Sequence, residues 1–533
     1  MINQRWFIIL GISSVLIALV MQGPQFIHQL NPQSQGILVN LNSDEDLYLA
    51  RVQEALSGNR EQASEAFTGE DNLVGTQSAL IEKMYGSLFG WTGLKAAEVF
   101  RIMDSVIPIL IFLGLFIFFQ LCGFTRVQSF GGSSLFVLIE LYGLSRPINL
   151  RASFLFMLIA LILAAFSIRK KSFMIGILAG IFMGLLVGVY FWSWTFAWLA
   201  LGIFFVWEAL EAIGGRENTN WNLIIKIGLV GLIVASPFLI DLMTMMQNPL
   251  YEFGEMRSGI VHSRAPESVP YSILFITMAV GILIALKKDY RKISKYKLPI
   301  VMVLTSALFI HQQVVHGIVL VFVSHSIFSL LLGAICAALL ALKLKAGWLR
   351  ISALAALVYI AALGYDGRYI FNQWKPNEGR FAQQHFASLI PELDKLPRSR
   401  ILSDTATSSF IAGHTHHDIV YSIHLKNTLM THEELAERFC MTQLALPSEK
   451  RDWKDRRHLV HPESSDPAVK KWELELVGSA CERVDADPDF YLKKFGIEYV
   501  VWDERNNPDW GISRLEVEEA SGGKGWSLWQ FAR

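Results

Sequence analysis

The run Ser172–Val206, SFMIGILAGIFMGLLVGVYFWSWTFAWLALGIFFV, decides the fold. It is one continuous apolar stretch, too long for a single bilayer crossing of about 20 residues. At its middle lies YFWSW, Tyr190–Trp194, which fits an aromatic belt where a chain turns at the membrane surface. The run therefore reads as two spans. In the first of them Gly176, Gly180, Gly184 and Gly188 recur every four residues. That spacing puts a glycine stripe on one helix face and lets a neighbouring helix approach closely. This is packing and carries no catalytic content.

Working outward, apolar segments of spanning length recur near 6–22, 105–124, 130–144, 152–168, 222–240, 271–286, 298–314, 318–341 and 347–364. With the central pair they predict a polytopic α-helical membrane protein of about 11 spans. Composition agrees: 52% of the 533 residues are hydrophobic and 18% charged, against roughly 25% charged in soluble proteins. The net charge is zero, so no global basic field points to nucleic acid. Neither a P-loop nor a dinucleotide glycine fingerprint is present. The N-terminal apolar segment is followed by GPQFIHQL rather than a small-residue cleavage site, which predicts an uncleaved first span.

Lys and Arg in the short loops give an orientation. Arg169–Lys171, the segment 287–297 (KKDYRKISKYK), Lys343 and Lys345 fall on one side, read as cytoplasmic. The N-terminus is then cytoplasmic in an inner (plasma) membrane, and two large segments are extracytoplasmic: a first loop, 23–101, and a tail. The chain divides on this reading into a transmembrane domain, 1–364, and a C-terminal extracytoplasmic α/β domain, 365–533. In the tail, THEELAERFC (431–440) opens with a capping box from Thr431 to Glu434. GIEYVVWDE (496–504) and GWSLWQFA (525–532) read as strands. Cys440 and Cys481 both fall there; an oxidising compartment would pair them, and two buried thiols are the alternative.

Polar residues collect at the outer boundary. Asp44, Glu45 and Asp46 follow the first span in NSDEDLYLAR. The plain reading is a helix start, with Ser43 as N-cap and acids in the first turn; the functional reading aims the same carboxylates at a substrate. Glu140 lies in the outward half of the third span, where a carboxylate is costly unless paired or hydrated; Arg146 or Arg151 would pair it. Arg257 and Arg264 lie between spans seven and eight, and His311, His316 and His325 between spans nine and ten. Headgroup contacts and satisfied core side chains are the plain readings of these. A carboxylate can take a proton from an acceptor or hold a divalent metal, Mg2+ or Mn2+. Arginine grips phosphate in a bidentate fork. The matching substrate is a sugar on a lipid phosphate. The histidines of HTHHDIVYSIH (414–424) read as solvated loop residues rather than zinc ligands.

DEDLY, Asp44–Tyr48, resembles the Asp-Glu-x-x-Tyr element in the first outer loop of GT-C glycosyltransferases, in the aminoarabinose and protein O-mannosyl transferase branches. The resemblance implies catalysis at Asp44 with Glu45 beside it, Glu140 as a further acid, and an inverting transfer from a polyprenyl-phosphate-linked sugar donor. It implies an extracytoplasmic active site among membrane lipids, with Asp44 as base or metal ligand; the acceptor, whether protein, lipid or glycan, is left open. Asp46, Tyr48, Arg146, Arg257, Arg264, His316 and His325 are the expected substrate contacts. The Trp-Trp-Asp acceptor motif of the oligosaccharyltransferase branch is missing; VVWDE (500–504) is the nearest string. The rival readings are a surface polysaccharide polymerase or ligase, with its site in a later loop, and a transporter or flippase, with polar groups at the midplane and internal repeats.

Overall fold

Every apolar stretch read from the sequence holds a helix in the computed structural model. These helices are Gln4–Gln29, Ala96–Leu121, Arg126–Glu140, Leu150–Lys170, Phe173–Leu185, Phe191–Ile213, Trp221–Met246, Val269–Leu286, Lys297–Phe309, Ile327–Leu344 and Gly347–Gly364. The structure describes residues 4–531 apart from 42–43, 59–67, 71–74, 141–146, 218, 259, 267–268, 287–289, 320–322, 345–346, 365–371, 377, 447–450, 452–458, 460–465 and 513–514. Among the described residues, 6 helices are long and apolar enough to cross a membrane: those starting at Gln4, Ala96, Leu150, Phe191, Trp221 and Ile327. The chain is a polytopic α-helical membrane protein with an α/β segment at its C-terminus.

The central run breaks where the aromatic belt was expected. The helix Phe173–Leu185 passes through a 3-10 turn, Leu186–Gly188. Tyr190 is extended, and the next helix begins at Phe191. The glycine stripe packs on the helix Trp221–Met246. A Cβ at Gly180 would lie 2.7 Å from the carbonyl oxygen of Ile227, and one at Gly184 would lie 2.5 Å from that of Gly231. Backbones this close admit no side chain. One expected span differs: the stretch 318–341 starts its helix only at Ile327. Residues Ile318–Val319 instead form a two-residue strand, β2, paired antiparallel with β1, Val261–His262.

The chain divides into two units. The helical unit comprises 1–23, 102–242 and 261–373. Two buried ion pairs stand out: Arg151 donates to Asp104 at 3.0 Å, while the Glu140 side chain lies outside the described ones. Lys297 donates to Glu208 and, at 2.8 Å, to Glu211.

The second unit gathers 24–101, 243–260 and 374–533. Its sheet has the order β4-β3-β5-β7-β6, with β3 Arg400–Leu402, β4 Asp418–Ile419, β5 Ile497–Trp502, β6 Val517–Gly523 and β7 Trp526–Phe531. β3 runs parallel to β4 and β5, while β7 is antiparallel to β5 and β6. Both strands read from the tail are present. β5 is apolar and largely buried, the signature of an inner strand. The β6–β7 hairpin turns through Gly525 at φ +89, a conformation that favours glycine. The helix His432–Met441 is capped as expected, Thr431 Oγ1 accepting from the Glu434 amide at 3.1 Å. A disulfide joins Cys440 to Cys481, Cα atoms 5.0 Å apart.

Candidate functional site

The helix Glu45–Leu56 belongs to the second unit, and its start carries the acidic motif. Gly86 and Gly413 let it sit close to its neighbours. A Cβ at Gly86 would meet the Ala55 carbonyl oxygen at 2.6 Å, and one at Gly413 would meet Leu49 at 3.3 Å. Farther along, Arg51 pairs with Glu82 at 2.9 Å and donates to the Ser78 carbonyl at 2.8 Å. The helix is thereby fixed in place, with Tyr48 buried along it.

The three acids take different roles. Glu45 is buried and folds back, its Oε2 accepting from the Leu41 amide at 2.8 Å. Asp46 accepts from Asn40 Nδ2. Burial pushes its carboxyl up to about 6, the Asn40 bond opposing that shift. Asp44 holds the N-cap position with φ -98 and ψ 7, and its side chain makes no capping hydrogen bond. The expected cap, Ser43, lies outside the described residues. The Asp44 charge acts instead on His424.

His424 sits on the 3-10 turn Ile423–Asn427, whose start is capped by Ser422 Oγ. Burial pushes its imidazole down to about 4; Asp44 opposes that and Lys426 adds to it. At neutral pH the ring is uncharged. The stretch 414–424 is thus no solvated loop: His414, His417 and His424 are buried.

Arg257 fixes this turn. Its guanidinium is fully buried. Nε donates to the Lys426 carbonyl at 3.2 Å and Nη2 to the Thr428 carbonyl at 2.6 Å. Nη1 lies 3.2 Å from His432 Nδ1. The fork expected to grip phosphate is engaged here by carbonyls at the C-terminal end of the turn that carries His424. Burial lowers its pKa to about 10, with Glu434 opposing, so it stays charged.

The other expected contacts lie in the helical unit. Arg264 is exposed, and its Nη1 donates to the Val314 carbonyl at 2.9 Å and to that of Val315. It thus closes the C-terminal end of the helix Gln312–His316. His316 Nδ1 accepts from the Ile318 amide at 3.1 Å, and its ring meets Phe191 edge-on at 5.6 Å. Burial, with Arg264, holds His316 below its ordinary range. Among the described residues, His316 Nε2, His311 Nδ1 and Gln312 Oε1 are buried polar atoms with no hydrogen-bond partner. His325 Nδ1 is bonded to the Tyr190 hydroxyl. Glu140 ends the helix Arg126–Glu140, and Arg146 lies outside the described residues.

Sequence reading missed three things: the Asp44–His424 neighbourhood, the carbonyl fork of Arg257, and a buried pair in the VVWDE string. In that pair His385 Nε2 lies 3.0 Å from Asp503 Oδ1. Burial raises the Asp503 carboxyl, but bonds from His385 and Asn506 outweigh it and leave it below the usual range. Among the described residues, no group of three or more His, Cys, Asp or Glu is arranged to hold a metal ion.

The chain is similar to ArnT from Cupriavidus metallidurans bound to undecaprenyl phosphate, with 11% identity, TM-score 0.42, and 99% of this chain and 98% of that one covered. Against ArnT in the apo state the identity is 11% and the TM-score 0.44, over 98% and 97% of the two chains. It is also similar to the arabinofuranosyltransferase AftD from Mycobacteria, at 13% identity and TM-score 0.45, covering 100% of this chain and 40% of that one. No protein-family model matches the sequence, and no curated protein does.

Proposed function

We propose that the protein is a membrane glycosyltransferase that moves a sugar from a polyprenyl-phosphate-linked donor to an acceptor at the extracytoplasmic face. The observation that carries the reading is the Asp44 carboxylate beside a buried, neutral His424, at the start of the helix that follows the first apolar helix. It is supported by the DEDLY motif, whose resemblance led to the same residue.

Asp44 acts as general base. It takes the proton from an acceptor hydroxyl or amine as that atom forms its bond to the anomeric carbon. The bond to the lipid phosphate breaks, the phosphate leaves with the electron pair, and the configuration inverts. His424, uncharged at neutral pH, is its neighbour in the proposed site. Arg257 is a positioning residue, since it holds the turn that carries His424. Arg264 is exposed and is the proposed contact for the donor phosphate, with His316 and His325 as further proposed substrate contacts. Glu45 serves the local backbone.

The test is Asp44→Asn. Asn caps nearly as well as Asp, so cap and dipole terms cost under ~1 kcal/mol. Loss of a general base costs about 10²–10⁴-fold in rate. A folded variant with near-parental transfer removes Asp44 from the mechanism. Partial rescue of the variant by Mg2+ or Mn2+ would favour the metal-ligand role, and a chelator without effect on the parent would favour the base.

A further inference from the structure

The helical unit contains a cavity of about 780 Å³ that the proposed chemistry does not use. We propose that it holds an anionic, phosphate-headed lipid, with a hydrocarbon chain between the helices and the phosphate at Arg169 and Lys295. The cavity lies toward the Glu208 end of the helix Phe191–Ile213, whose other end adjoins Tyr190. That helix has 23 residues, about 34 Å at 1.5 Å per residue, so this is not the Tyr190–His325 region.

The lining changes character along its depth. Leu161, Met183, Leu201, Val301 and Met302 make apolar walls, and Ala164 and Ala200 leave room between them. The mouth carries Arg169, in the last turn of the helix Leu150–Lys170, and Lys295, closing the helix Tyr290–Lys295; both are exposed. Arg216 and Glu217 also border it. The other lining charges answer one another. Lys297 bonds Glu208 and Glu211, Glu208 also accepts from the Asn220 amide, and Arg216 lies 3.7 Å from Glu211. Over the lining, four cations (Arg169, Arg216, Lys295, Lys297) face three acids (Glu208, Glu211, Glu217), a net charge of +1. A free phosphate has no use for the apolar walls. A neutral lipid has none for the cationic mouth. An anionic lipid matches both, as basic pockets between membrane helices do.

The full chain, purified in detergent and stripped of lipid, is offered phosphatidylglycerol, phosphatidylcholine or polyprenyl phosphate and read by native mass spectrometry. One phosphatidylglycerol is retained, in roughly tenfold preference over phosphatidylcholine, and Arg169→Glu with Lys295→Glu abolishes the preference. Equal retention of the two phospholipids, or an unchanged preference in the double variant, overturns the site. A second measurement needs no variant. Phosphatidylglycerol with a photoreactive group in its chain labels peptides containing Leu161, Met183 or Val301, and labelling confined elsewhere overturns the proposal. Displacement by polyprenyl phosphate assigns the lipid to the donor pool; retention against it assigns the lipid to the bulk membrane. Both outcomes keep the site.

Discussion

The two units each hold a charge centre, and the two centres follow different plans. In the helical unit, Lys297 lies between Glu208 and Glu211 and over the rings of Phe204 and Trp207. Every charge there meets an opposite one. In the second unit, Asp44 faces an imidazole that burial keeps neutral. The first plan holds helices together; the second sets a carboxylate at a helix start near a ring that carries no charge at neutral pH.

The comparison breaks most sharply on rate against stability. Asp44→Asn should cost about 10²–10⁴-fold in transfer with little change in unfolding. Lys297→Met should do the reverse where it can be measured, removing about 3 kcal/mol of stability or less, because buried Glu208 loses its cation while Glu211 keeps Arg216 at 3.7 Å. Thermal and denaturant unfolding in detergent read the second effect. If Lys297→Met unfolds like the parent, the triad is not a structural centre and the contrast fails.

The two arginines sharpen it next. Arg257 and Arg264 stand in one sequence segment, yet one is buried in carbonyls and the other is exposed. Arg257→Lys loses the fork that holds the C-terminal end of the turn. It should lower kcat, shift the pH profile through His424, and leave the donor KM nearly unchanged. Arg264→Lys should raise the donor KM and leave kcat nearly unchanged. The same pattern in both variants would mean that the arginines do not divide the work in this way.

These contrasts show what a sequence makes legible. Apolar length and the glycine period are properties of a continuous stretch, so the helices and the close approach at Gly180 and Gly184 could be read directly. The Thr431 cap and the strands at Ile497 and Trp526 are local for the same reason. The Asp44–His424 pairing is not local. His424 comes from a turn far along the chain, and only the fold brings it to the first loop. The fork of Arg257 was not legible because its partners are backbone carbonyls, which every residue owns and no motif advertises. Asp104 hid in an apolar run, though a carboxylate there asks for a partner, and Arg151 supplies it. The two-residue strands β1 and β2 are too short to carry a period, so the start of the helix at Ile327 was misplaced.

A smaller effect tests the glycine contact. Gly184→Leu forces a side chain against the Gly231 carbonyl and Val234. Overpacking of this kind costs about 1–3 kcal/mol. The loss should appear as a lower unfolding temperature, and a variant as stable as the parent would mean the helices separate freely there.

The smallest effect concerns Asp46, neighbour to Asp44 in the motif but on a different plan again. Burial raises its carboxyl from 3.8 to about 6. A group with a raised folded pKa contributes stability below its unfolded value and loses it as pH rises through the folded one. Above pH 6 the ionised Asp46 is therefore a burden, while Asn40 needs only an acceptor oxygen. Asp46→Asn keeps that oxygen and removes the charge. It should stabilise the protein by about 1–2 kcal/mol at pH 7.5, a value set below the full linkage figure because the side chain is partly exposed. The gain should shrink between pH 6 and 3.8 and vanish below. His414, His424 and His432, each pushed down to about 4 by burial, act with the opposite sign. Their stabilisation is present above about 6.5 and fades as pH falls toward 4. They are common to parent and variant, so the difference between the two unfolding curves isolates Asp46. A difference that is flat with pH, or a variant less stable at pH 7.5, would show that Asp46 is ionised and well solvated. Transfer lost while stability is gained would place Asp46 with Asp44 in contact with substrate.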